Sequence, residues 1–341
     1  MRAIPFHRAG DADTLRVEEW PNPEPKDNEI LIQVKAFGLN FADIVARKGQ
    51  YNDAPKFPFV PGYEVSGVVV STGKNVKNFR SGDEVIAFTL FSGYAELAVA
   101  DERAVVKKPA YLSFADAASI PVNFATAYHS LFETGTLRPG AKVLIHAGAG
   151  GVGLAAIQMA KNRGCTVFAT AGSAKKIELL QEFKVDYPIN YQQTDFEREV
   201  KRIAGPAPLD VVLDSVGGSY FKKDLNLLRP HGRVVAFGAA AFSERNIFKL
   251  PALIPQVVSM LTLSMIELML NSKGFYGVNM LRVAKENPEL LQHEMQQIME
   301  MFAAEKIKAV VSRQMSWHQI GEAHNLLESR ASTGKIVLMI D

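Results

Sequence analysis

The stretch Lys142 to Gly153, KVLIHAGAGGVG, decides how the chain is read. Val143, Leu144 and Ile145 make an apolar run that stops at a glycine-rich turn, in which Gly148, Gly150 and Gly153 stand in G-x-G-x-x-G spacing. Val152, Ala155, Ala156, Met159 and Ala160 then recur at i, i+3, i+4, i+7 and i+8, one apolar face of a helix. Gly164 follows as a C-cap. The next strand, Cys165 to Ala171 (CTVFATA), completes a βαβ unit of about thirty residues. In that setting the first glycine allows a tight turn, the second lets a pyrophosphate approach the backbone, and the third packs helix against strand. The helix N-terminus offers free N–H groups and a partial positive charge to phosphates. A strand–helix corner with incidental glycines is the alternative, and the second strand weighs against it.

The end of that second strand bears on which dinucleotide is expected. NAD-preferring sites place Asp or Glu there, on the ribose 2′-OH. Here it reads Thr170-Ala171-Gly172-Ser173, with no acid, and Lys175 and Lys176 follow. An uncharged turn followed by basic residues suits a 2′-phosphate, so NADP(H) is the expected cofactor. The lysines alone would read as a solvated first helical turn; the missing acid carries more of the argument.

The chain's 341 residues suffice for two domains of ordinary size. A net charge of +2 gives no case for nucleic acid or for an anionic membrane surface. One cysteine, Cys165, excludes an intramolecular disulfide and a Cys-based structural zinc site, and fits a cytoplasmic setting. The N-terminal MRAIPFHRAG lacks an apolar core of signal-peptide length.

Residues 1–122 read as β-rich: EILIQVK (29–35) alternates as a half-buried strand should, and Pro61-Gly62 and Ser81-Gly82-Asp83 punctuate the strands Val65 to Val70 and Glu84 to Phe88. Short strands with glycine corners suggest a barrel-like domain. Helices are expected to begin near Phe114 and Phe124. Past Ala171 the pattern continues with a helix over Ala174 to Phe183, a strand end at Ile189 to Tyr191, and strands at Leu209 to Leu213, Arg233 to Phe237 and Phe275 to Val278. Such alternation implies a mostly parallel sheet with ligands at the strand C-terminal ends, which makes Ser215, Phe237 and Gly238 candidate cofactor contacts. The uncharged segment 251–266 is too short to span a bilayer, which takes ~20 residues, and reads as a buried helix, a lid or a subunit interface, with contact at a membrane surface as a further alternative. The Met-rich helix Leu290 to Ala303 reads as core, and the tail from Thr333 as a turn and closing strand belonging to the first domain.

With these motifs assembled, the chain resembles the zinc-independent medium-chain dehydrogenases/reductases of the quinone oxidoreductase (zeta-crystallin-like) group. GLNFADIVARKGQY (38–51), PGYEVSGVV (61–69), SGDEVIAF (81–88), VNFATAYHSLF (122–132), GVGLAAIQMAK (151–161), DSVGG (214–218) and STGKIVLMI (332–340) carry the resemblance over nearly the whole length. Within the group, VNFATAY and GGSYFKKDLNLLRPHG are most similar to vesicle amine transport protein homologues. The resemblance implies an α/β protein: a GroES-like β-barrel catalytic domain from 1–123 and 280–341, and a doubly wound Rossmann domain over 124–279. It implies that Asn40 and Tyr51 line the nicotinamide and substrate cleft and that Asn123 and Thr126 touch the nicotinamide. Gly150, Gly151, Val152 and Gly153 would hold the pyrophosphate, Ser173, Lys176 and Tyr191 the 2′-phosphate, and Lys335 would approach the cofactor. A homodimer joined near Phe275 is also implied.

In the zinc-dependent branch a Cys stands where Asn40 does and a His where Tyr63 does. Neither residue here supplies that ligand chemistry, and no metal is expected. Zinc polarises a simple carbonyl; without it, hydride transfer is best matched to a quinone or an α,β-unsaturated carbonyl, which spreads the developing charge itself. Tyr51 is then the candidate donor or a cleft wall, Asn40 a polar positioner and Tyr63 a further wall, while Asp43, Glu64 and Asp214 read as structural carboxylates. The competing expectation is an NADPH-binding scaffold at a vesicle or membrane surface.

Overall fold

In the computed structural model, which describes residues 1–238 and 265–341, the chain opens with two short antiparallel strands, β1 (Arg2–Ala3) and β2 (Glu18–Glu19). The expectations for 251–266 fall, up to residue 264, outside the described residues. β3 (Glu29–Leu39) alternates as its sequence predicts as far as Lys35, with Ile30, Ile32 and Val34 buried and Gln33 exposed. It then continues through Ala36 to Leu39 with every side chain buried. The reason is a second layer: Ala36 packs against Ala115 and Ala118 of a short helix on one face. A short helix α1 (Phe41–Arg47) follows, then β4 (Glu64–Thr72), β5 (Glu84–Phe88), β6 (Leu97–Asp101) and β7 (Val105–Lys107). After α2 (Phe114–Ala118), α3 (Pro121–Tyr128) starts at a proline rather than near Phe124. Proline has no N–H to lose at that first position, and the next N–H, of Val122, is bound by the Glu64 carboxylate at 2.8 Å.

The second part follows the expected alternation: β8 (Lys142–Ile145), α4 (Gly151–Asn162), β9 (Thr166–Ala171), α5 (Ala174–Glu182), β10 (Tyr187–Asn190), α6 (Phe196–Ala204), β11 (Leu209–Asp214), α7 (Ser219–Leu227), β12 (Leu228–Ala236) and β13 (Gly274–Gly277). Gly164 adopts φ +72° just past α4, the left-handed conformation that ends helices. All pairings are parallel, in the order β10-β9-β8-β11-β12-β13. Strand order reverses between β8 and β11, the switch point where such sheets bind ligands beyond their C-terminal ends. Leu144, Phe168, Val212 and Val234 from four neighbouring strands share one core.

The chain then returns to the first part. Leu291, Met295, Ile298 and Phe302 bury one stripe of the helix Pro288–Ala303. β14 (Val311–Ser316) pairs parallel with β15 (Lys335–Met339), and β15 pairs antiparallel with β3. One edge of β3 pairs with β4; β6 pairs with its residues 29–33 and β15 with residues 36–39. The sheet runs β14-β15-β3-β4-β5-β7. Chain contacts divide the protein into Met1–Ala125 with Met280–Asp341, and Thr126–Asn279.

Candidate functional site

The glycine turn of the second unit lets the start of α4 come close to the end of β8. Gly150 caps α4 with an extended backbone and no side chain. A Cβ on Gly153 would lie 2.6 Å from the carbonyls of Ala147 and Gly148, so α4 comes this near the turn only because the residue is glycine. Gly148 is similarly confined, 2.8 Å from the Ala169 methyl, whereas at Gly150 the nearest neighbour would be 3.2 Å away. Gly150 N donates to Ala147 O at 2.9 Å, so the groups left to face an anion at this helix start are the N–H of Gly151, Val152 and Gly153.

At the end of β9, Ser173 caps α5 by accepting from Lys176 N at 3.4 Å. A side chain at Gly172 would overlap the Tyr191 hydroxyl and stand 2.7 Å from its Cζ. An acid at Gly172 would therefore have to displace the Tyr191 ring tip. Burial lowers the pKa of the Lys176 ammonium, a cost that an adjacent phosphate would offset. Ser173, Lys176 and Tyr191 thus gather around one turn. Ser215 and Gly238 also meet, a Cβ on Gly238 falling 2.9 Å from Ser215 O, while Phe237 N donates to Asp214 O at 3.0 Å. Asp214 braces its turn as expected, accepting from Val216 N at 2.7 Å and Gly217 N at 2.9 Å.

One buried cluster under this unit escaped the sequence reading. His146, at the exit of β8, contacts Thr170 Oγ1 at 3.0 Å through Nδ1 and Asp224 Oδ1 at 2.9 Å through Nε2. Burial opposes charging the ring, but the Asp224 carboxylate outweighs it and raises the His146 pKa.

In the first unit the sequence-predicted residues converge on a carboxylate read as merely structural. Glu64, fully buried, pairs with the equally buried Lys335 ammonium. Lys335 Nζ also donates to Asn40 Oδ1 at 2.6 Å and Asn123 Oδ1 at 3.4 Å. Asn40 Nδ2 donates to Glu64 Oε1 at 2.8 Å, and Glu64 Oε2 caps α3 through Val122 N. Lys335 is thus spent within this cluster at 2% exposure, not extended to a surface. Gly38 makes room for the pair: a Cβ there would overlap the Glu64 carboxylate and lie 2.6 Å from Lys335 Cε. Thr126 lies buried on α3 one turn beyond Asn123.

Asn40 also opens α1 in a capping box, its N–H donating to Asp43 Oδ2 at 2.7 Å. Burial raises the Asp43 pKa to about 7, against the opposing effect of the Asn40 N–H. Asp43 Oδ1 has no hydrogen-bond partner among the described residues, and the Tyr94 hydroxyl beside it does not meet hydrogen-bond geometry. Tyr51 and Tyr63 stand edge to face with centroids 6.2 Å apart. Burial, and then the Asp53 charge, pushes the Tyr51 pKa up to about 12. Burial, and then Asp43, holds Tyr63 well above the ordinary phenol value, and its buried hydroxyl has no partner among the described residues. Both phenols are therefore protonated donors at neutral pH. Among the described residues no group of three His, Cys, Asp or Glu side chains is placed to hold a metal ion.

Residues 26–110 match the family described as alcohol dehydrogenase GroES-like domain, and residues 151–302 match zinc-binding dehydrogenase. The chain is 36% identical to the synaptic vesicle membrane protein VAT-1 homolog of Danio rerio, over 99% of this chain and 69% of that protein. Among solved structures, Escherichia coli quinone oxidoreductase complexed with NADPH matches with TM-score 0.86 and 28% identity, over 99% of this chain and 100% of the other. CurK enoyl reductase matches with TM-score 0.85 and 29% identity, over 100% of this chain and 99% of the other.

Two outcomes follow from the buried cluster. Lys335→Met leaves the Glu64 carboxylate buried without its cation and should cost about 3–5 kcal/mol in urea unfolding, with Glu64→Gln in the same background recovering part of the loss. An unchanged midpoint in Lys335→Met would mean that the pair contributes nothing. For Asp43, a folded-state pKa raised to about 7 from 3.8 means that stability is lost as pH rises through that window. Asp43→Asn, neutral throughout, should gain Tm relative to wild type between pH 5 and pH 8; a difference independent of pH would contradict the assignment.

Proposed function

The chain belongs to the medium-chain dehydrogenase/reductase family of oxidoreductases, in its quinone oxidoreductase group, and from that footing we propose that it is an NADPH-dependent, zinc-independent reductase of quinones or α,β-unsaturated carbonyls. The observation that carries the reading is the Lys335 ammonium, bound to Glu64 and to Asn40, the residue that by resemblance stands where the zinc branch has its first ligand. A cation is already bound to that residue, and its partners are an amide and a carboxylate rather than a thiolate and an imidazole. With no Lewis acid to polarise a carbonyl, the acceptor must delocalise charge itself, which favours conjugated substrates.

The proposed division of labour follows the two units. Gly148 and Gly150 to Gly153 hold the pyrophosphate, Ser173, Lys176 and Tyr191 the 2′-phosphate, and Ser215, Phe237 and Gly238 the strand ends beneath the dinucleotide. Bound NADPH supplies hydride from nicotinamide C4. Tyr51 donates a hydrogen bond to the acceptor oxygen: at a pKa of about 12 the phenol stays protonated until that oxygen becomes basic. Tyr63 offers a second O–H to the same oxygen, which would satisfy its buried donor. Asn40, Asn123 and Thr126 present the polar wall.

A second reading draws on the relative's name as a synaptic vesicle membrane protein and on Met265, Ile266, Met269 and Leu270, which are 68%, 69%, 75% and 81% exposed. It makes the chain an NADPH-binding scaffold at a membrane surface rather than a cytoplasmic enzyme. Among the described residues no helix is long and apolar enough to cross a membrane. Flotation with anionic liposomes, lost in Met269→Asp/Leu270→Asp, would support it; no flotation would remove it. Among the described residues β13 is the end strand of its sheet, which also fits a homodimer; light scattering after size exclusion tests it by returning twice the 37.4 kDa chain mass.

The deciding assay is oxidation of NADPH and NADH with 9,10-phenanthrenequinone, 1,4-benzoquinone and an alkenal panel. Turnover should favour NADPH, and Lys176→Ala should weaken NADPH while sparing NADH. Tyr51→Phe should lower kcat by about 100-fold with the KM for NADPH unchanged. Tight NADPH binding without turnover of any acceptor would shift the weight to the scaffold.

A further inference from the structure

The second unit carries a cavity at the opposite end of its sheet from the glycine turn. It occupies about 440 Å³ beneath the N-terminal ends of β8, β11 and β12. Leu137, Ala141 and Val211 supply apolar lining, and Arg138, Arg229, His231, Arg233 and Asp210 supply the charge and polarity. A smaller hollow of about 210 Å³ shares His231 and Arg233 and adds the half-exposed ring of Tyr276.

The charges in this lining do not cancel. Asp210 is already committed: one oxygen pairs with Arg229, and the other accepts from Lys142 N at 2.8 Å. Among the described residues Arg233 reaches only carbonyls, His231 O at 3.3 Å and Thr134 O at 3.5 Å. Arg138 has no ion pair among the described residues. Two guanidinium groups therefore share one cavity with no carboxylate left for them among the described residues, an arrangement that favours an incoming phosphate or carboxylate.

The backbone is shaped to build this wall. Leu209 pairs with Leu228, but Val211 pairs with Arg233, so Arg229 to Gly232 are looped out of β12. The loop holds His231 at φ +67°, fixed by its N–H donating to Ser272 O at 2.7 Å. Across the cavity Thr136, a β-branched residue, sits at φ +45°. Bulges and positive φ at non-glycine residues cost energy and concentrate where a fold aims groups at a ligand.

We propose that this cavity binds a small organic anion, its phosphate or carboxylate head held by Arg138 and Arg233 and its apolar or aromatic body lying along Leu137, Val211 and Tyr276. The site is separate from the dinucleotide and does not depend on the proposed reductase activity.

The test is isothermal titration of the full-length protein saturated with NADPH, so that the 2′-phosphate site is filled, at fixed ionic strength. Phenyl phosphate, benzoate and inorganic phosphate are the probes, and their ranking separates a phosphate from a carboxylate ligand and shows whether the body contributes. The expected result is saturable binding of phenyl phosphate or benzoate that weakens at least about tenfold in Arg138→Gln and further in Arg138→Gln/Arg233→Gln. Arg138 is exposed and makes no ion pair among the described residues, so the single variant tests the site even if the double variant unfolds. No saturable binding of any probe, or equal binding in Arg138→Gln, would overturn the proposal.

Discussion

The ion pair between Lys335 and Glu64 is the constraint on which the first unit depends. Both groups are withdrawn from water, Lys335 at 2% and Glu64 at 0% exposure. Two isolated charges could not be buried this deeply; the cost is met only because each finds several partners. Glu64 satisfies the ammonium, the Asn40 amide and the N-terminus of α3. Lys335 stands at the head of β15, so the same contact pins the C-terminal strand to β3, β4 and α3. Removing either charge would leave the other stranded, and Gly38 cannot accept a side chain without displacing both.

This architecture bears directly on chemistry. On the proposed reading, Asn40 stands where the zinc-dependent branch has a metal-ligating cysteine, and the Lys335 ammonium bound to it is held by side chains rather than exchangeable. A fixed ammonium with three hydrogen-bonding partners has little capacity left to polarise a substrate. What remains available nearby are two protonated phenols, Tyr51 and Tyr63, and a carboxyl, Asp43, whose burial brings its pKa to about 7. Weak donors of this kind suit an acceptor whose own conjugation carries the charge.

The sequence made legible whatever was encoded locally. The strand, turn and helix around Gly148 to Gly153 lie within one short window, and each glycine has a steric reason that spacing alone can report. Parallel strands such as Leu209–Asp214 were visible as apolar runs because both of their faces are buried. The start of α3 was misplaced because its N-terminal N–H is capped by Glu64, 58 residues earlier in the chain, and not by a neighbouring side chain. That Asn40, Asn123 and Lys335 meet on Glu64 was illegible for the same reason: the four come from separate segments, and Glu64 looked structural without its partner. A lysine at the head of the otherwise apolar KIVLM was the one available signal. The His146–Asp224 pair, 78 residues apart, left no local pattern. The cavity above Arg229 to Gly232 depends on a register shift that no periodicity announces.

Whether the Lys335 ammonium stands in place of a metal is answered by metal analysis of a preparation whose reductase turnover is measured in parallel. The account predicts full turnover with zinc and other transition metals far below one per chain, unchanged after exhaustive chelation and dialysis. Stoichiometric zinc that tracks activity, lost on chelation and restored on adding zinc back, would contradict it.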